Sequence, residues 1–278
     1  MSYRTILVHL NDKRRAETLL QPTIELATRF NSHLIGLHAY ASLPAPPIAI
    51  PYTARALAGV AAAEQENSAQ IAAIFARMAE RRQFVADWQL LKVSHLELAA
   101  AVMERGRAAD LIIAGQTDPE WDLSPLLDFP ELLALESGRP VLVVPYVGRY
   151  PSVGRNVVIA WKAGRESARA VFDALPLLRD AEDVHILEIK DRADQESTLA
   201  PDTSIAASLA RHGIKPTIHT SIASNISVGD EILSRLADID ADLLVMGAYG
   251  HGRLRELVFG GVTRHIARHM TVPTLFSH

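Results

Sequence analysis

Five glycines in the last third of the chain fall where they could cradle a phosphate. Gly247-Ala248-Tyr249-Gly250-His251-Gly252 is followed by a stretch of helical pattern and then by Gly260-Gly261-Val262-Thr263. Glycine permits positive φ and lets backbone N–H groups approach an anion with no Cβ in the way. The second glycine pair opens a helix predicted over 262–269, and a helix amino terminus is a natural seat for an anion. Thr263 offers a hydroxyl there. His251 either reaches a terminal phosphate or stands as an exposed loop residue. Arg253 and Arg255 either neutralise phosphate or form the solvated face of the intervening helix.

Other chemistry finds less support. His265 and His269 are four apart on a predicted helix and share a face that could hold a metal. No Glu follows His265, so the H-E-x-x-H logic fails, and solvated histidines near a helix carboxyl terminus are the preferred reading. The absence of cysteine excludes disulfides, thiol catalysis and cysteine-based metal sites, and fits a reducing compartment. There is no Walker A sequence and no Gly-x-Ser-x-Gly elbow. Hydrolysis needs a positioned water, a base and usually a metal. Beyond His251 no base stands out, so no catalytic residue is assigned.

The elements that must position these residues come twice. Tyr3–Val8 is echoed by Gly154–Ile159, Ala109–Gly115 by Ala241–Gly247, and Arg139–Val144 by Val272–Phe276. Pro22 and Pro176 fall at corresponding places in the first helix of each copy. Runs such as Leu111–Ala114 and Val141–Val144 are apolar at every position, as strands covered on both faces must be. Helical spacing appears at Ile71, Ile74, Phe75 and Met78, and again at Ala168, Val171, Phe172 and Leu175. Alternating strand and helix predicts parallel sheets with right-handed crossovers. The strands are expected at 4–10, 33–40, 85–92, 110–115 and 140–144, then at 155–161, 184–190, 215–221, 242–247 and 273–277. Two domains are expected, 1–147 and 153–278, joined by a Gly-, Pro- and Tyr-rich linker within 146–154. In such sheets a ligand binds beyond the carboxyl ends of the strands, where the strand order reverses. That directs attention to the residues after the first and fourth strands of each copy.

The spacing Gly247, two residues, Gly250, nine residues, Gly260 resembles the nucleotide-binding signature of ATP-binding universal stress proteins, and the likeness covers nearly the whole chain twice over. The resemblance implies an α/β fold: two tandem, doubly wound, five-stranded parallel-sheet domains, adenine-nucleotide α-hydrolase-like, with strand order 3-2-1-4-5. It implies ATP as the cofactor, with or without Mg, and a role in the stress response. It sets the phosphates against Gly250, Gly260, Gly261 and Val262, and the adenine near the backbone around Ile189. Two positions depart from the family. Gly261 stands where Ser or Thr is usual, which keeps a backbone N–H and loses a hydroxyl. Lys162 stands where ATP-binding members carry Asp; it can pair with phosphate but cannot replace a carboxylate that holds a metal or a ribose. Beside ATP binding stand two other readings: a slow ATP hydrolase working through His251 or Lys162, and a scaffold that binds no nucleotide.

The first copy has lost the signature. Gly115 is followed by Gln116-Thr117-Asp118-Pro119-Glu120-Trp121-Asp122, with three carboxylates where phosphates would lie. It is expected to support the second copy, with Asn11 and Asp12 left as a site for some other polar ligand. A net charge of −4 gives no basic field for nucleic acid. The amino terminus lacks the apolar run of a signal peptide, and prolines and Arg55 interrupt the apolar stretch 43–63, so no membrane span and a cytoplasmic location are expected. The last strand of each copy is a sheet edge, and Val141–Val144 is very apolar for an exposed one; the resemblance implies that these strands pair between domains, as an internal pseudo-dimer, and leaves a further homodimer open.

Overall fold

The computed structural model describes residues 2–41, 51–80, 82–94, 97–121, 124, 128–191, 203–223, 226–248 and 261–278. The first five strands are β1 (Thr5–His9), β2 (His33–Ala41), β3 (Ala86–Val93), β4 (Leu111–Gly115) and β5 (Val141–Val144). The second five are β6 (Asn156–Ala160), β7 (Asp183–Asp191), β8 (Thr217–Ala223), β9 (Leu243–Gly247) and β10 (Thr274–Ser277). Each lies within two residues of its expected bounds. The helices are α1 (Lys13–Phe30), α2 (Pro51–Ala79), α3 (Leu98–Gly106), α4 (Pro130–Glu136), α5 (Arg165–Asp173), α6 (Leu175–Asp180), α7 (Ser204–Arg211), α8 (Val228–Ile239) and α9 (Gly261–His269).

All ten strands form one sheet in the order β3-β2-β1-β4-β5-β10-β9-β6-β7-β8. Each half has the order 3-2-1-4-5 with parallel pairing throughout. The halves join where β5 pairs antiparallel with β10, Leu142 opposite Leu275. The apolar edges are thus paired inside one chain, as a pseudo-dimer. The side chains of the central strands alternate between two core layers. Ile6, Val8, Leu142, Leu275 and Val157 enter one, and Leu7, Val141, Val143, Phe276 and Val158 the other. Both layers run across the junction. Leu142 and Leu275 are fully buried, and each contributes about 1.5–3 kcal/mol by leaving water.

Local chemistry sets the ends of the elements. Asp12 caps α1 by accepting from Arg14 N at 3.0 Å, and Ser227 caps α8 by accepting from Asp230 N at 3.1 Å. Asn31 (φ 47°) and Asp240 (φ 54°) end those helices in the left-handed region. Pro22 is accommodated inside α1, whereas the helix carrying Pro176 is divided at Ala174 into α5 and α6. Phe172, expected on the apolar face of that helix, is 45% exposed and meets His212 edge-on instead.

The repeated Ala-Asp before β4 and β9 has a structural cause. Asp110 Oδ2 accepts from Arg4 N and Thr5 N at 2.8 and 2.9 Å. Asp242 Oδ1 accepts from Gly154 N, Arg155 N and Asn156 N at 3.1, 3.0 and 3.0 Å. Each carboxylate ties the start of the first strand of its half to the start of the fourth. An Asp242→Ala variant is expected to lose about 2 kcal/mol, since hydrogen bonds to a charged group are the stronger kind. The measurement is the urea midpoint at unchanged m-value. A loss below about 0.5 kcal/mol would mean that water replaces the carboxylate.

Candidate functional site

In the second half the strand order reverses at β6, which pairs with β7 on one side and β9 on the other. The crossover after β6 runs through α5, whose Ala170 and Val171 enter one core layer. The crossover after β9 runs through α9, whose Ile266 and Ala267 enter the other. Helices leaving on opposite faces open a crevice between the carboxyl ends of these strands. A cavity of about 360 Å³ lies there, within the range of small-ligand pockets.

Lys162, Ile189, Gly247, Gly261, Val262 and Thr263 all border this cavity. The fold thus brings together residues spread over a hundred positions of sequence. Gly250, His251 and Gly260, and with them Arg253 and Arg255, lie outside the described residues. The cavity wall is largely apolar, with Leu187, Ile189, Val228, Ile232 and Met246 beside Trp161. Trp161 is itself buried in a core layer, and its N donates to Leu187 O at 2.9 Å. Polar groups come from Lys162, Glu166, Ser167 and Thr263. Glu166 and Ser167 in the first turn of α5, Val228 at the start of α8 and Gly261 at the start of α9 border the space, so N-terminal helix ends converge on it.

The two described motif glycines serve different ends, and neither has positive φ. A Cβ on Gly247 would lie 2.5 Å from Ser167 N and 2.6 Å from the Glu166 carbonyl carbon. Gly247 is therefore needed so that α5 can press its first turn against β9. A Cβ on Gly261 would meet nothing within 4 Å. That position faces open space at the start of α9.

Sequence reading overlooked Glu166. It is buried at the first turn of α5, and its Oε1 accepts from Arg165 Nε at 3.0 Å with Arg165 Nη2 at 2.8 Å. Burial opposes its ionisation. Its own backbone N–H, the Arg165 guanidinium and, farther off, His278 outweigh that and hold the carboxyl below its ordinary value. A Glu just after a Gly-Arg step was the available signal, but nothing in the spacing tells that the side chain turns inward.

Magnesium prefers one or two free carboxylates together with phosphate oxygens. Among the described residues bordering the cavity, Glu166 is the one carboxylate, already engaged by Arg165, while Lys162 brings an ammonium to the same space. This donor set does not fit a divalent cation. The His265 and His269 rings lie tilted to each other with centroids 4.5 Å apart on α9, His265 Nε2 lying 2.9 Å from Asp230 Oδ1. Among the described residues no three metal-ligating side chains come together.

At the matching place in the first half the chain fills its own crevice. Asn11 Nδ2 donates to Asp128 Oδ1 at 2.5 Å, Ser124 Oγ donates to Asp128 Oδ2, and Arg15 Nη1 stands 3.6 Å from that oxygen. The Phe129 ring lies 5.1 Å from that of His9. Asp128 is buried, which pushes its carboxyl up against the opposing pull of Ser124, Asn11 and Arg15. Asp12 is occupied in capping α1 and in pairing with Arg14 at 2.9 Å. Asn11 and Asp12, expected to be available to a polar ligand, are turned to these internal partners. Counting twelve residues back from Pro140 and from Pro273 shows the correspondence: Asp128 falls at the place of Gly261. Gln116, directly after β4, spans the two halves by donating to Ala267 O at 3.0 Å and accepting from Tyr146 N at 3.1 Å. Sequence reading missed Ser124, Asp128 and Gln116 alike.

Residues 154–278 match the model of the universal stress protein family. No curated protein sequence matches the chain. Among solved structures, a universal stress protein from Archaeoglobus fulgidus DSM 4304 superposes with a TM-score of 0.69 at 15% identity, covering 98% of this chain and 95% of that one. A protein of unknown function from Pseudomonas aeruginosa PAO1 gives a TM-score of 0.61 at 16% identity, covering 99% and 92%. At these identities the likeness is one of fold, and it extends over both halves. Residues 154–278, matched by the family's model, belong to the universal stress protein family, and the chain builds the same fold twice in tandem.

Proposed function

We propose that this chain is a stress-response protein that binds ATP in the cavity of its second half. In this reading residues 1–147 and 153–278 are two domains of adenine-nucleotide α-hydrolase type, and the first supports the second. The observation that carries the reading is the cavity at the strand-order reversal, bordered by Lys162, Gly261 and the start of α9. An apolar wall suits a base, and an ammonium beside a helix N-terminus suits phosphate. The adenine would lie near Ile189 and the phosphates toward Gly261, Val262 and the segment carrying Gly250, His251 and Gly260. The proposed activity is binding, with at most weak ATPase: the cavity carboxylate, Glu166, is tied to Arg165. The proposed location is the cytoplasm, in keeping with a chain that has no cysteine. Among the described residues no helix is long and apolar enough to cross a membrane.

The test is mass spectrometry of small molecules released from the denatured protein, beside melting curves with and without ATP. A bound adenine nucleotide is expected, with a stabilisation of about 2.7 kcal/mol at a hundredfold excess over Kd. Gly261→Asp is expected to abolish the ATP shift while leaving the unliganded melt in place. It sets a carboxylate in open space at a helix N-terminus, where the fold tolerates it and a phosphate does not. No nucleotide and no shift in the parent protein would favour a scaffold working through its surface.

A further inference from the structure

We propose that the second half takes its nucleotide as the free anion, with the Lys162 ammonium in the role that a bound divalent cation would otherwise fill. The proposal rests on the nucleotide reading above and goes beyond it in naming the charge state of the ligand. Lys162 lies two residues after the end of β6 and borders the cavity on the side where α5 begins. Among the described residues its ammonium has no ion-pair partner. The remaining carboxylate of the wall, Glu166, is committed to Arg165 and to its own backbone N–H. The balance of charge around the cavity therefore favours an uncomplexed polyphosphate.

The physical consequence is competition. A cation coordinated to the phosphates cancels much of the charge that Lys162 and the N-terminal ends of α5 and α9 would attract, and it meets the ammonium as a like charge. Magnesium also sheds its waters reluctantly, and this wall offers little to replace them. Binding should then be indifferent to magnesium or weakened by it.

The experiment is calorimetric titration of the full chain with ATP, once with EDTA and once with excess magnesium, on the parent protein and on Lys162→Ala, Lys162→Asp and Glu166→Gln. The parent is expected to bind in EDTA at least as tightly as with magnesium. Lys162→Ala is expected to weaken the EDTA binding about tenfold, the worth of one charge-assisted contact. Lys162→Asp is expected to bind only when magnesium is supplied. Lys162 is exposed, so these variants should melt as the parent does. Parent binding that weakens tenfold or more in EDTA would overturn the proposal. Loss of that magnesium gain in Glu166→Gln would then assign the metal to Glu166. Absence of binding in both media would remove the nucleotide reading, and this inference with it.

Discussion

A Gly247→Val variant is expected to lose on the order of 3 kcal/mol of stability, together with the nucleotide binding proposed for the second half. The new Cβ would sit 2.5 Å from Ser167 N and 2.6 Å from the Glu166 carbonyl carbon. Both are backbone atoms of a helix whose Val171 is fully buried in the core, so no side-chain rotation relieves the clash. Either α5 lifts from β9 or β9 shifts in a sheet where it is paired on both sides. Lifting α5 also moves Glu166, Ser167 and Gly164, all of which border the cavity. Gly261→Ala supplies the control: its Cβ meets nothing within 4 Å, so a change below about 0.5 kcal/mol is expected. Urea melts of the two variants decide it. Equal, small effects would mean that α5 is free to yield and that the cavity wall is soft.

Acidification is expected to unfold the protein through His9. This residue ends β1, is buried against Phe129, and has its pKa pushed down to about 3 by burial, with the neighbouring His38 adding to the effect. Between its ordinary value of 6.5 and about 3, the unfolded chain takes up a proton that the folded chain refuses. Stability from this group is complete above the ordinary value and falls as the pH drops through that window. From about pH 7 to about pH 4 the loss is roughly 3 kcal/mol, at about 1.4 kcal/mol per unit. Glu64, held below its ordinary value chiefly by its hydrogen bond with His38, adds to the loss at the acid end. Asp128, raised by burial, works in the opposite direction. His9→Gln is expected to be less stable near neutrality and to show a flatter profile. Parallel profiles for variant and parent would show that His9 is not the responsible group.

Much of the fold was legible in the chain. Ile6-Leu7-Val8, Leu111–Ala114 and Val141–Val144 are apolar at consecutive positions, and only a strand covered on both faces consumes such a run. Repetition of these runs predicted the two halves, and every strand ended within two residues of its expected bounds. That Gly247 and Gly261 border one cavity was foreseeable because a doubly wound sheet aims the carboxyl ends of neighbouring strands at one crevice; Lys162 was singled out through the family resemblance. The strand and glycine inferences needed only residues adjacent in sequence and one rule of topology.

The tertiary structure decided what depends on partners far apart in the chain. Sequence presented Gly247 as a glycine with freedom in φ; its φ is not positive, and the packed helix α5 gives it a steric reason. The spacing of Glu166 does not tell that it faces the cavity, because that follows from the angle at which α5 meets β9. Asp118, Glu120 and Asp122 suggested a first crevice occupied by carboxylates, whereas Asp128 and Phe129 turn inward and close it with Asn11, Arg15 and His9. The apolar edges promised a pairing, expected between the two halves, without saying in which direction the strands would meet. The antiparallel register of Leu142 on Leu275 resolves it within the chain. A hydrophobic pattern records that a surface must be buried, but the surface that covers it is fixed only when distant segments meet.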